Sequence, residues 1–130
     1  MSKPASSNNW VMLEEGEIYK IHTTDDDNGV RLQQFINSLR KQARIEFQNR
    51  LHRFAKIGKL KTPEAFRKLK GNGQPPVYEI KIHDGPGYRF YLIQHGDKYW
   101  HVTHGCKKPK DNKVSAEIEK ARRIYNVYKI

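Results

Sequence analysis

The sequence is poor in several features that define protein classes. Its single cysteine, Cys106, excludes an intrachain disulfide framework and fits a reducing compartment. Its apolar runs reach only about four residues, as in FYLI, whereas a membrane-spanning helix needs roughly 20. The opening MSKPASSNNW lacks the apolar core of a signal peptide. These absences predict a soluble, cytoplasmic protein with no membrane partner.

What the chain has in excess is positive charge. It carries 25 lysines and arginines against 14 aspartates and glutamates, a formal net charge of +11 over 130 residues. Residues 1–30 are acidic overall, whereas residues 31–70 hold twelve basic and two acidic side chains. This balance favours a polyanion as partner, nucleic acid first, with an anionic membrane surface or an acidic protein as alternatives. A well-solvated helix surface is the ordinary alternative for the middle segment.

The apolar pattern predicts a single α+β domain over residues 10–130, after a disordered tail at residues 1–9. WVMLEEGEIYKIH favours either a short hairpin or one strand preceded by an arm. Apolar residues then recur at helical spacing from Leu32 to Ala55, which predicts one long amphipathic helix or two helices with a break. KTPEAFRKLKGNG predicts a short helix that ends near Gly71.

Three strand-like runs and a final helix complete the predicted fold. The runs are Val77–His83, Tyr88–His95 and Tyr99–Cys106. VSAEIEKARRIYNVYKI is typical of a C-terminal helix. We therefore expect an antiparallel sheet, made of the N-terminal strand and this three-stranded meander, with the helices packed on one face.

Strand alternation predicts which side chains of the meander share a face. If Ile80, Leu92 and Val102 turn toward the helices, the opposite face is open and basic. The same pattern places His104 on the helix side, with Val102. The side chains expected on the open face are Lys81, His83, Arg89, Tyr91, His101 and, if the strand continues, Lys107.

The loop lengths predict how these strands align. A five-residue loop sets His83 opposite Arg89, and a three-residue loop sets Arg89 opposite Gly105. Lys81, Arg89 and Lys107 are then expected to converge on one phosphate. An ordinary ion pair of Arg89 with a glutamate on the same strand face is the alternative.

This expected cluster suits RNA cleavage without a metal. The 2′-hydroxyl attacks its own phosphate, and arginine and lysine side chains stabilise the charge that develops. His83 or His101 could move the protons, because the reference pKa of histidine is near neutral. Lys81 could contribute if cationic neighbours lower its pKa.

No cofactor or metal is expected. A two-metal nuclease needs clustered carboxylates, and those near the meander are scattered. A zinc site would need further ligands, because His101, His104 and Cys106 fall on mixed faces of a strand. The scattered carboxylates are Glu79, Asp84 and Asp97.

Further residues are predicted to bind RNA without doing chemistry. Tyr91 could stack on a base or simply pack in the sheet. Basic side chains would attract phosphates from two segments. They are Lys108, Lys110 and Lys113 after the last strand, and Arg40, Lys41, Arg44, Arg50 and Arg53 on the middle helix.

Roughly residues 60–125 carry a resemblance to a known family. VYEIKIHDGPGYRFYLI followed by WHVTHGCKKPKDNKVSAEIEKARRIY resembles the RelE/HigB superfamily of toxins from bacterial toxin–antitoxin systems, and its phage-derived HigB-like branch in particular. Shared features are a strand with Tyr88–Arg89, the segment His104–Lys108, and a helix with Glu117–Ile118 and Ala121.

The resemblance implies a RelE-like microbial RNase fold and an mRNA endoribonuclease that acts on translating ribosomes. It also implies neutralisation by a cognate antitoxin, for which we expect a helix-turn-helix protein. The family's basic site positions fall on Lys81, Arg89 and Lys107, and a further basic position falls on Glu79, which is acidic here. The alternatives are a non-catalytic toxin of the same fold that binds DNA gyrase, or an RNA- or ribosome-binding module.

Overall fold

The fold is described from a computed structural model, which covers residues 10–71 and 73–128. The tail predicted for residues 1–9 lies outside these residues. Within them, six strands form one sheet: β1 (Trp10–Glu15), β2 (Lys20–Thr24), β3 (Phe66–Lys68), β4 (Tyr78–Ile82), β5 (Tyr88–His95) and β6 (Tyr99–Lys107). The α-helices in the same ranges are α1 (Asp27–Ser38), α2 (Lys41–Ile57) and α3 (Val114–Tyr128).

The sheet is mixed. Its strand order is β1-β2-β6-β5-β4-β3, and neighbouring strands are antiparallel except β2 and β6, which are parallel. The α+β class and the three meander strands are confirmed, as is the hairpin alternative for the N-terminal segment. The prediction of a purely antiparallel sheet is wrong, because the N-terminal hairpin joins the meander through a parallel pair.

The long helical segment breaks in two at Leu39. This residue adopts an extended backbone between α1 and α2, and its side chain is buried in the core. Asp26 caps α1 by accepting a hydrogen bond from the Gly29 amide at 3.2 Å. The two-helix alternative is confirmed, although neither glycine nor proline marks the break.

The predicted short helix before the meander is wrong. Residues 62–65 form a turn, and β3 follows as an edge strand paired with β4. Phe66 lies opposite Ile80 and packs against the ring of Phe54 at 4.8 Å. Because β4 offers an unpaired edge and the core accepts this aromatic ring, strand pairing overrides the local preference for helix.

Helices cover both faces of the sheet. On one face, α1 and α2 pack against alternate residues of β4, β5 and β6, among them Ile80, Leu92 and Val102. On the other face, α3 places Ile118 and Ala121 against side chains of β5. The expectation of a single helical layer and an open opposite face is therefore wrong for the part of the sheet that α3 covers.

A register shift in β6 changes which of its side chains share a face. Leu92 pairs with Val102, but Tyr91 pairs with His104, so Thr103 is an extra residue in the strand. The side chains beyond it point to the opposite face from the one that simple alternation predicts. His104 was predicted to share the face of Val102; it lies on the other face, with Tyr91, so that prediction is wrong. Gly105 turns toward α1, where a Cβ would lie 2.7 Å from the Phe35 ring.

Candidate functional site

The centre of the candidate site is the pair Lys81 and Arg89. The two residues lie directly opposite each other on β4 and β5, on the face away from α1 and α2. Directly opposed Cβ atoms are about 5 Å apart, so the two side chains are neighbours. That Lys81 and Arg89 lie close together is confirmed, although the predicted alignment of Arg89 with His83 is wrong by two residues.

A buried carboxylate organises the arginines of this site. Glu79 is 2% exposed and accepts from Arg67 Nε at 2.9 Å, while Arg67 Nη2 lies 2.7 Å from the same oxygen. Its other oxygen is 3.6 Å from Arg89 Nε, and Arg89 Nη1 donates to the Tyr88 carbonyl at 3.0 Å. The ion-pair alternative for Arg89 is thus confirmed, because its guanidinium faces Glu79 with a side chain only 10% exposed.

Lys108, not Lys107, is the lysine of this segment whose charge acts on Lys81. Lys107 pairs with Tyr88, so the register puts it on the α1 side of β6, opposite to Lys81 and Arg89. The prediction that Lys107 joins the cluster is therefore wrong, and its cause is the extra residue in β6. The backbone amide of Lys108 donates to the Gly87 carbonyl at 3.0 Å, and its charge acts on Lys81.

Lys81 has an altered proton affinity. Partial burial lowers the pKa of its ammonium group, and the positive charges of Arg67, Arg89 and Lys108 lower it further, against an opposing effect of Glu79. A lysine in this position loses its proton more readily than one in water. Its deprotonated form is therefore more accessible than that of an ordinary surface lysine.

The two predicted catalytic histidines do not join this cluster. His83 is exposed, its Nε2 lies 2.6 Å from the Glu64 carbonyl oxygen, and its backbone amide donates to Glu46. His101 is 2% exposed and pairs with Ile93. Ile93 lies four residues from Arg89 along β5, a distance of about 13 Å. Burial lowers the pKa of His101 to about 4.

Tyr91 is a core residue rather than a stacking platform for bases. It is fully buried beneath α3 and stacks on the His104 ring at a centroid distance of 4.7 Å. Its hydroxyl lies 3.8 Å from Cys106 Sγ, and burial raises the pKa of that thiol to about 11. The RNA-binding prediction for Tyr91 is wrong, and the sheet-packing alternative is confirmed.

Two of the predicted phosphate-binding arginines near the start of α2 are held by other groups. Arg40 pairs with Asp84 through two contacts at 2.6 and 2.8 Å. Arg44 donates to the Leu39 carbonyl across the helix break. Arg40 thus links the start of α2 to the loop between β4 and β5, and Arg44 links α2 to the break after α1. Both guanidinium groups already have partners, so neither is simply available for phosphates.

Arg50 supports the site from behind. Its Nε donates to the Lys81 carbonyl at 2.7 Å, and its Nη2 donates to Glu46 at 2.7 Å. Glu46 in turn accepts from the backbone amides that follow β4. Arg50 therefore fixes the backbone that carries Lys81, instead of offering its charge to solvent.

The remaining predicted RNA-binding cations are on the surface. Lys41 and Arg53 are exposed on α2, and Lys110 and Lys113 are exposed around a short 3-10 turn before α3. Their positions are compatible with long-range attraction of a polyanion.

Comparisons with known proteins give no relative. No family model, curated protein or solved structure matches the chain. Among the described residues, no helix is long and apolar enough to cross a membrane. Nor does the described part of the chain bring together three His, Cys, Asp or Glu side chains that could hold a metal ion.

Arg67 is the member of the site that the sequence pattern missed. It was placed in a predicted helix, yet it lies on β3 directly opposite Glu79. The sequence offers no cue for this pair, because Arg67 fits either the predicted helix or a strand paired with the one that contains Glu79. Strand pairing across the intervening loop decides between them, and local periodicity cannot detect it.

Proposed function

We propose that the protein is a RelE/HigB-type toxin that cleaves mRNA on translating ribosomes without a metal. The observation that carries the proposal is the environment of Lys81. Three other cations surround this half-buried lysine, a single buried carboxylate offsets them, and its pKa is lowered. Crowding like charges costs stability, so a site of this kind is expected to serve an anionic ligand.

The geometry suits transfer of an RNA phosphate from the 5′-oxygen to the neighbouring 2′-oxygen. The fraction of Lys81 that has lost its proton takes the proton of the 2′-hydroxyl as that oxygen bonds to phosphorus. The bond to the 5′-oxygen breaks, and this oxygen takes a proton from water. Arg89, Arg67 and Lys108 stabilise the extra negative charge of the transition state. The products are a 2′,3′-cyclic phosphate and a 5′-hydroxyl.

The remainder of the proposal concerns fold and partners. An α+β domain with a mixed sheet and a C-terminal helix is compatible with a RelE-like fold. The exposed cations Lys41, Arg53, Lys110 and Lys113 would contact ribosomal RNA. A cognate antitoxin, expected to be a helix-turn-helix protein, would neutralise the toxin.

The decisive variant is Lys81→Arg. Arginine keeps the positive charge but stays protonated, so it binds phosphate without accepting a proton. We expect RNA binding to remain while cleavage falls about 10²–10⁴-fold, the usual contribution of a general base. Primer extension on mRNA during translation measures the cleavage, and Lys98→Arg, at an exposed turn lysine, is the matched control.

Two outcomes would contradict this assignment. Wild-type cleavage rates in Lys81→Arg would show that proton transfer occurs elsewhere. Products with 5′-phosphate ends, or loss of free-RNA cleavage in EDTA, would replace the 2′-hydroxyl mechanism with metal-assisted attack by water.

A non-catalytic binding function is the second candidate. It is favoured by the two histidines: His83 Nε2 lies 2.6 Å from the Glu64 carbonyl oxygen, and His101 lies far along the sheet from Arg89. Such a protein would bind RNA, the ribosome or DNA gyrase without cutting RNA. Intact mRNA with occupied ribosomes would support the RNA-binding form, and double-strand DNA breaks would support the gyrase form.

A further inference from the structure

A small cavity, the β6-edge cavity, lies beside β6 between α1 and α3. Its volume is about 80 Å³, well below the roughly 300–1,000 Å³ of sites for drug-sized molecules. It therefore has room for a single small ion rather than for a whole nucleotide. Within the described residues, β2 pairs with β6 only along Tyr99–His101, and the edge of β6 at Thr103–Gly105 borders this cavity instead of a strand.

One wall of the cavity is a stripe of α1. Contact with β6 fixes the orientation of this stripe, because a Cβ at Gly105 would lie 2.7 Å from the Phe35 ring. Arg31 lies one turn before Phe35 on the same face of the helix, so its side chain borders the cavity as well. The stripe follows the spacing i, i+3, i+4, i+7 and consists of Asn28, Arg31, Leu32 and Phe35.

The facing wall is a stripe of α3. Lys120 and Ile124, one turn apart, line the cavity, and Glu117 lies one turn before Lys120. Contact with β6 fixes this stripe too, since Glu117 Oε1 lies 2.9 Å from His104 Nε2. Burial lowers the pKa of His104 to about 4, and the positive charges of Lys120 and Arg123 lower it further, against the effect of Glu117. The ammonium group of Lys120 therefore lies close to the strand.

The strand itself contributes a backbone donor to the cavity. The Lys108 amide donates to the Gly87 carbonyl at 3.0 Å, so Lys107 and its opposite residue, Tyr88, form a pair without mutual hydrogen bonds. Such pairs recur every second residue along an antiparallel ladder, which gives Gly105 the same orientation. The N–H of Gly105 thus points away from β5, toward the edge of β6 that borders the cavity.

The electrostatics of the cavity suit an anion. Both charged side chains that line it, Arg31 and Lys120, are cationic, and none of the described residues that line it carries a carboxylate. The neighbouring carboxylate of Glu117 is already engaged by His104. A tetrahedral oxyanion offers several acceptor oxygens, so it can accept from an arginine and a lysine at once. A cation would meet two like charges instead.

We propose that the β6-edge cavity binds a phosphate group, held by the Arg31 and Lys120 side chains and the Gly105 N–H. This inference goes beyond the proposed function, because the cavity lies outside the cationic cluster of Lys81 and Arg89 on β4 and β5. A bound phosphate bridges α1 and α3, which pack on opposite faces of the sheet. The group belongs either to a free phosphate ion or to a nucleotide whose remainder stays outside the cavity.

The test is a titration of the isotope-labelled full chain with sodium phosphate at constant ionic strength, followed by amide NMR. We expect a saturable shift of the Gly105 amide resonance, which reports on this cavity and not on the distant cluster around Lys81. In the double variant Arg31→Gln, Lys120→Gln, the dissociation constant from this resonance should rise at least about tenfold, the usual result of losing a hydrogen bond to a charged group. The single variant Lys120→Gln should show a smaller rise.

The matched control is Lys56→Gln, Lys98→Gln, which removes the same charge from two exposed positions outside the cavity. The Gly105 resonance of this control should give the wild-type dissociation constant. Both double variants should keep the wild-type melting temperature in the absence of phosphate, because exposed charges contribute little to stability. Lys81→Arg should also keep the Gly105 response, so this inference and the proposed function can fail separately.

A second titration, with adenosine 5′-monophosphate, distinguishes the two sources of the phosphate group. Tighter binding of the nucleotide than of phosphate, lost in the cavity variant, would support a nucleotide as the ligand. Tighter binding of phosphate would support the free ion. The inference is overturned if the Gly105 amide responds to phosphate no more than to chloride, or if the cavity variant binds phosphate as tightly as the wild type does.

Discussion

Burial of His101 makes the protein sensitive to acid. The ring lies 2% exposed between the His22 ring, at a centroid distance of 5.0 Å, and the Tyr125 ring, at 6.0 Å. Burial lowers its pKa from 6.5 to about 4, with an added contribution from the charge of His95 and an opposing one from Asp26. Acidification must therefore charge a group that the folded protein holds neutral.

The size of the effect follows from these two pKa values. Between pH 6.5 and pH 4 the unfolded chain binds more protons than the folded one. The contribution of neutral His101 to the free energy of unfolding is therefore fully present above pH 6.5 and is lost as the pH falls toward 4. From pH 7 to pH 5 it lowers the free energy of unfolding by about 2 kcal/mol, at 1.36 kcal/mol per unit of pKa. The melting temperature should fall by about 8 °C from this group alone, at roughly 4 °C per kcal/mol for a domain of this size.

The assay is urea unfolding at pH 7 and pH 5 for the wild type and His101→Gln. Whatever the stability of the variant at pH 7, its loss of unfolding free energy on acidification should be about 2 kcal/mol smaller than that of the wild type. His52→Gln, at an exposed histidine on α2, is the control and should follow the wild type. Equal pH dependence in His101→Gln and the wild type would show that His101 is accessible to protons in the folded state, and would refute this reasoning.

Two further predictions concern the cationic cluster. Lys108→Ala should lower the salt slope of RNA binding by about 0.7, whereas Lys107→Ala, on the other side of β6, should leave the slope unchanged. A fluorescently labelled RNA measures both slopes, and the opposite ranking would contradict the register of β6. Arg89→Ala should abolish cleavage and also lower the free energy of unfolding by about 1–3 kcal/mol, because it removes one of the two arginines that face a buried carboxylate. Urea unfolding measures this loss of unfolding free energy. The control Arg53→Ala, at an exposed position on α2, should have the wild-type free energy of unfolding. An Arg89→Ala protein as stable as the wild type would contradict the pairing with Glu79.

The meander could be predicted because its signals are local. Alternating apolar residues fixed the strands and the face of Lys81 and Arg89, and short glycine-containing turns separated the runs. The existence of the C-terminal helix could be predicted equally well, but the face of the sheet on which it packs could not. Its apolar stripe, with Ile118 and Ala121, fits either face of a sheet, and only the three-dimensional path of the chain selects the second face.

The bulge at Thr103 explains two errors in the predicted β6, the faces of Lys107 and His104. One extra residue in a strand inverts every later side chain, so Lys107 was exchanged for Lys108 and His104 was assigned to the wrong face. A local cue existed at Gly105, whose position beside Phe35 leaves no room for a side chain. Glycine within a strand often marks such an irregularity, but it does not tell by itself which neighbour is the extra residue.

The buried carboxylate changes how the site balances stability against function. A cluster of cations alone would be destabilising, so removing Arg89 from such a cluster would leave the free energy of unfolding equal or higher. Glu79 reverses this expectation, because a carboxylate that is 2% exposed needs its arginines, and they in turn keep their charges close to Lys81. Glu79 therefore holds Arg67 in the site, and Arg67 adds a positive charge from β3 to that of Lys81 on β4. The same pairing limits the freedom of Arg89, so under the proposed function Lys81, Lys108 and the outer edge of Arg67 would share the phosphate with it.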